Sequence, residues 1–212
     1  PTPRGSTTPT SWPSASPRAA PARPPSPVPP GPTTAGTTIA PAIQVAARDA
    51  LGNTATTFVG NVTLVITGGS GTAGATLAGT RVIGAVGGIA NFSTLSIDKS
   101  GSGYTLTATA SGLTGTVSAA FTINPGTATQ LAFTVPPSDA MAGASLAPAV
   151  QVTARDALGN PVTSLTGAVT VAITPGTGAP GATLLGGTIV TGAGGVAVFS
   201  TISIDKSGSS YK

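Results

Sequence analysis

The chain has 212 residues, a formal net charge of +4, and neither Cys, His nor Glu. Disulfide frameworks and thiolate or imidazole metal sites are thereby excluded, and little is present to activate a Ser or Thr nucleophile, so the chain reads as non-enzymatic. The excess charge sits on Arg4, Arg18, Arg23 and Lys212, because the other five Lys/Arg are matched by five Asp; with no basic cluster to displace phosphate counterions, nucleic-acid binding is excluded.

Residues 1–34 form a Pro/Ser/Thr/Ala-rich segment. Its run Arg23-Pro24-Pro25-Ser26-Pro27-Val28-Pro29-Pro30 lacks ladder donors and fixes φ, which points to an extended linker or tail rather than a strand. The Arg18-to-Pro24 stretch matches the RxxPxxP pattern, which any Pro/Arg-rich linker also produces. With Pro1 first and no signal peptide ahead of it, the chain reads as a fragment or mature region of something larger.

From residue 35 onward, apolar residues alternate with a period of two. Ile43, Val45 and Ala47 share one face; Val62, Leu64 and Ile66 share another. Phe92 and Leu95 are three apart, which predicts a bulge that keeps both inward. Tyr104, Leu106 and Ala108 alternate again, and Val117 to Ile123 ends the unit. Turn-forming Gly, Asn, Ser and Pro separate these runs about every ten residues, and no run of about 18 apolar residues could span a bilayer. The pattern is all-β.

The same order is then written again at a constant offset. Ile43-Gln44-Val45-Ala46-Ala47-Arg48-Asp49-Ala50-Leu51-Gly52-Asn53 returns as Val150-Gln151-Val152-Thr153-Ala154-Arg155-Asp156-Ala157-Leu158-Gly159-Asn160, and Ile97-Asp98-Lys99-Ser100-Gly101-Ser102-Gly103-Tyr104 as Ile204-Asp205-Lys206-Ser207-Gly208-Ser209-Ser210-Tyr211. A repeat of this size, with about seven short strands, predicts tandem immunoglobulin-like β-sandwiches. The expected domains are 35–126, whose opening strand is replaced by Pro-rich sequence, and 127–212, which stops before its last two strands.

Four residue sets invite chemistry. Asp49 with Asn53, and Asp156 with Asn160, offer oxygen ligands for Ca²⁺. The ion requires six to eight such ligands, so a tight turn with Gly52 or Gly159 at positive φ is the better reading. Asp98 and Asp205 precede Tyr104 and Tyr211 at the spacing of a tyrosine corner, in which the hydroxyl bonds back to the preceding loop. Gly69-Ser70-Gly71-Thr72-Ala73-Gly74 matches GxGxxG, but the sequence after it is a poor helix former, so it reads as a flexible loop between strands. No catalytic or cofactor site emerges.

The run Val152-x-Ala154-Arg155-Asp156-Ala157-x-Gly159-Asn160, with Leu131-Ala132-Phe133-Thr134-Val135-Pro136-Pro137-Ser138 before it and Phe199-x-x-Ile202-x-Ile204-Asp205-Lys206-Ser207-Gly208-x-x-Tyr211 after it, resembles bacterial immunoglobulin-like repeats of the invasin and intimin type. The resemblance implies a structural or adhesive module of a bacterial extracellular or cell-surface protein: a stalk, adhesin array or filament subunit. Its partners would be like modules or neighbouring subunits, or a host or surface glycan or protein. An edge left two strands short would invite completion by an added strand. The rival is a non-catalytic carbohydrate-binding or spacer module of a secreted hydrolase. Such modules display exposed aromatics, whereas Phe58, Phe92, Phe121, Phe133 and Phe199 fall mostly at core-facing positions and Trp12 is in the tail.

Overall fold

The structure is a computed structural model that describes residues 31–212. Residues 1–30 of the Pro-rich tail, with the replaced opening strand among them, lie outside these residues; Thr33–Thr34, read as the end of the tail, form a short strand instead. Among the described residues no helix occurs; every regular element is a strand.

The first repeat contains β1 (Thr33–Thr34), β2 (Ile43–Ala46), β3 (Asn61–Ile66), β4 (Leu77–Ala78), β5 (Val82–Gly84), β6 (Ile89–Phe92), β7 (Ser96–Ile97), β8 (Gly101–Tyr104), β9 (Leu106–Ala110), β10 (Thr116–Val117) and β11 (Phe121–Asn124). Two layers are built from them. In one, two sheets adjoin: β10-β9-β3-β5, and β1-β11-β8 with β1 parallel to β11, joined where β8 runs on through Thr105 into β9. In the other, β2 pairs antiparallel with β6, Ile43 opposite Phe92 and Val45 opposite Ala90. Alternation explains what they share: Ile43, Val45, Val62, Leu64, Phe92, Leu106, Ala108, Phe121 and Ile123 all belong to one buried cluster. Each such side chain removed from water contributes about 1.5–3 kcal/mol before chain entropy is subtracted. This layering is the immunoglobulin-like sandwich.

Phe92 and Leu95 are both buried, yet no bulge brings this about. The strand breaks after Phe92 and resumes at Ser96, where β7 pairs with β4 instead of continuing along β2.

The second repeat contains β12 (Gln130–Val135), β13 (Val150–Arg155), β14 (Ala168–Thr170), β15 (Leu184–Leu185), β16 (Ile189–Thr191), β17 (Val196–Phe199) and β18 (Ser203–Ile204). Here β13 sits between β12 and β17, while β14 with β16 and β15 with β18 form two-stranded ladders. A second buried cluster gathers Leu146, Val150, Val152, Val169, Ala197, Phe199 and Ile202. Gly208–Tyr211, the counterpart of β8, forms no strand. In the first repeat β8 gains its ladder from β11.

Two large apolar side chains of the second repeat are wetted. Leu131 and Phe133 lie opposite Ala154 and Val152 on the β12–β13 ladder, so they point to the same side as two buried residues. They are nevertheless 58% and 57% exposed. Phe133 thus departs from the core-facing reading of its position: alternation places it opposite a buried residue, but no second layer packs on it.

Candidate functional site

The two Asp-Ala-Leu-Gly-Asn turns are built alike. In the first, the Leu51 and Asn53 N–H groups donate to Asp49 Oδ1 at 3.0 and 2.8 Å, and Asn53 Nδ2 donates to Asp49 Oδ2 at 3.1 Å. In the second, Leu158 and Asn160 N–H donate to Asp156 Oδ1 at 2.9 and 2.8 Å, and Asn160 Nδ2 to Asp156 Oδ2 at 3.0 Å. Gly52 and Gly159 close the turns at φ of 88° and 80°, a region other residues enter at a cost. Arg48 and Arg155 each donate from Nη1 to the following glycine carbonyl, at 2.7 and 3.0 Å. The carboxylates are occupied by the turn itself, and among the described residues no group of three or more acidic or metal-ligating side chains gathers.

Their surroundings differ sharply. The second turn is pressed against the first repeat, so that Asp156 and Asn160 are buried, whereas Leu51, Gly52 and Asn53 are exposed. The Ser100 N–H donates to Asn160 Oδ1 at 3.0 Å, and Asn160 Nδ2 donates to the Asp98 carbonyl at 3.0 Å. Together with the bond to Asp156, these satisfy the amide oxygen and both amide hydrogens of Asn160. The Gly126 N–H, in the connection between repeats, donates to Asp156 Oδ2 at 2.9 Å. Leu158 lies against the Gly36 backbone; a Cβ on Gly36 would come within 2.8 Å of Leu158 Cδ1. Asp98, Ser100, Gly126, Asp156, Leu158 and Asn160 thus form a joint between the repeats.

Asp156 ionises below the ordinary carboxylate range: burial opposes this, but the N–H groups of Gly126 and Asn160 and the Asn160 amide outweigh it. Asp49 is also lowered, mainly by Asn53. Asp98 is lowered by the Thr76 N–H against a burial cost, and Asp205 by the Thr183 N–H.

Beneath the joint stands Tyr104, fully buried, whose hydroxyl donates to the Lys99 carbonyl at 2.8 Å. Its ring packs on Phe121, with centroids 6.0 Å apart. Tyr211 repeats the bond, to the Lys206 carbonyl at 2.8 Å, with its side chain half-buried. The loop expected to be flexible, Gly69 to Gly74, is tied down at this spot. Gly71 sits on the Tyr104 ring so closely that any Cβ there would collide with it. Thr72 Oγ1 donates to the Ser100 carbonyl at 2.6 Å and Lys99 Nζ to the Ala73 carbonyl at 3.1 Å.

The second repeat also carries an open groove of about 420 Å³, lined by Pro137 to Ala142 on one side and Lys206 to Tyr211 on the other, with Leu146 and Ile204 at its base. Counting back 107 residues, these walls are the neighbourhood of β1 and of β8, between which β11 lies in the first repeat.

No family model matches this chain, and no curated protein matches it. Among solved structures it is similar to FdeC, an Escherichia coli adhesin, with 20% identity and a TM-score of 0.39, over 81% of this chain and 52% of that one. The chain thus spans about half the length of that structure.

Proposed function

We propose that this chain is a non-enzymatic structural and adhesive module of a bacterial extracellular or cell-surface protein, working as part of a stalk or array. The observation that carries this reading is the joint. Two like units meet through a buried Asn with every amide valence used, and through a carboxylate that ties down the connecting peptide. An array that must project or bear load requires that its units not swivel freely, and buried polar networks of this kind impose geometry.

Completion by an added strand belongs to the same reading. The groove beside Tyr211 takes an extended segment of the β11 pattern, Phe and Ile alternating with polar residues. Such a segment pairs its backbone with the groove walls and packs its apolar side chains on Leu146 and Ile204.

Amide relaxation by NMR tests the joint. The expected result is one common tumbling time for both repeats, and two separate, shorter times in Asn160→Ala. Independent tumbling in the unaltered chain would sink the array reading.

A further inference from the structure

The joint exists once in this chain, but its two halves exist twice. The half that inserts is the Asp-Ala-Leu-Gly-Asn turn; its second copy, Asp49 to Asn53, projects from the opposite end of the first repeat. The half that receives is the Asp-Lys-Ser loop with the glycine beside it; its second copy is Asp205, Lys206 and Ser207 with Gly143.

Both spare halves are already in the shape that the joint uses. Gly36 N–H donates to the Ile97 carbonyl at 2.8 Å, and Gly143 N–H to the Ile204 carbonyl at 2.7 Å. Those glycines have φ of 76° and 79°. Asp98 Oδ1 accepts the Thr76 N–H at 2.7 Å, and Asp205 Oδ1 the Thr183 N–H at 2.7 Å. Lys99 and Lys206 each reach a loop carbonyl at 3.1 Å. Beyond the strand that follows the first loop and not the second, the difference is occupancy. Leu158 fills the space over Gly36, while nothing lies within 4 Å of a Cβ built on Gly143. Correspondingly, Leu51 is 89% exposed and Leu158 54%.

We infer that the exposed Asp49–Asn53 turn and the exposed Asp205–Ser207 loop are the two halves of one further joint, and that the partner each takes is another module of this kind, here a second copy of the chain docked head to tail. Asn53 inserts as Asn160 does: its amide oxygen accepts the Ser207 N–H of the next copy, its Nδ2 donates to that copy's Asp205 carbonyl, and Leu51 covers that copy's Gly143. This rests on the array reading and names its partner. The contact between separate chains is weak, because within one chain the connecting peptide holds the halves at an effective concentration of about millimolar.

Covalent trapping reads such a contact, and a chain without cysteine permits it. Leu51→Cys and Gly143→Cys chains are mixed and oxidised, and the heterodimer is compared with the two homodimers. The double variant Gly36→Cys/Leu158→Cys, which closes within one chain, shows that the pair geometry is competent. The expected result is a heterodimer roughly tenfold above its statistical share, equivalent to about 1.4 kcal/mol, and loss of that excess when Asn53→Ala is added to the Leu51→Cys chain. A statistical mixture while the intrachain pair closes overturns the inference and leaves the array reading intact. An excess that survives Asn53→Ala overturns the role given to Asn53. Failure of the intrachain pair to close counts against the internal joint itself, and with it against both readings.

Discussion

Tyr104 shows how one side chain organises its surroundings. Its ring supports Gly71 and Phe121, and its hydroxyl satisfies a carbonyl that the turn at Lys99 would otherwise leave without a partner. Tyr104→Phe keeps the ring and deletes the bond, so urea unfolding of the first repeat should show a loss of about 1–2 kcal/mol. Tyr211→Phe should cost less, because solvent reaches the half-buried Tyr211 and water replaces the lost donor. Equal losses at the two positions would contradict this account. The tyrosine's bond to its own loop is a local relation, legible from the spacing Asp-Lys-Ser-Gly-x-x-Tyr. The seat of Gly71 on that ring was not. It joins residues 33 positions apart in sequence, and a glycine that leaves room for an aromatic looks no different in sequence from one that makes a loop flexible.

At the scale of elements, alternation revealed β3, β6, β9 and β11, where one face meets the core and the other water, and period two records that directly; the short β4 and β5 carry no such pattern and were not legible. The pattern was silent wherever a neighbour is missing. Phe133 reads as a core residue from its alternation and its opposite number Val152 is buried, but burial needs a second layer, which alternation within one strand does not report. The groove makes this testable. A peptide with the sequence Ser118–Pro125, added to the chain, should shift the amides of Tyr211 and Met141, both in the groove walls, and raise the melting temperature of the second repeat. The same peptide with Asp in place of its Phe should do neither, since a charge would enter an apolar seat. No shift at large peptide excess would mean that the groove does not bind strands.

At the scale of the molecule, the two Asp-Ala-Leu-Gly-Asn turns are identical in sequence and unlike in fate, so nothing in the sequence singled out Asn160 as a contact. Only its position between two folded units does. The joint's dependence on acid follows from Asp156. Its carboxyl ionises below 3.8 in the folded chain; a lowered carboxyl contributes its stabilisation above the ordinary value and loses it as the pH falls through the lowered one. Coupling between the repeats should therefore be constant from neutrality down to the ordinary carboxylate range, weaken below it, and be lost as the pH falls through the lowered ionisation of Asp156. Relaxation measurements along an acid titration, with Asp156→Asn as the control that no longer titrates, check this. The parallel pairing of β1 with β11, Thr33 opposite Ile123 and Thr34 opposite Asn124, with Ala35 N–H donating to the Asn124 carbonyl at 2.8 Å, has a mechanical meaning. Among the described residues, β1 is the first strand of this repeat and β11 the last. Because these strands run the same way, tension between the two ends pulls them past each other lengthwise. All the bonds of the pair then bear the force together instead of peeling apart one by one. The unit is thereby strongest along the direction in which a string of such units would be pulled.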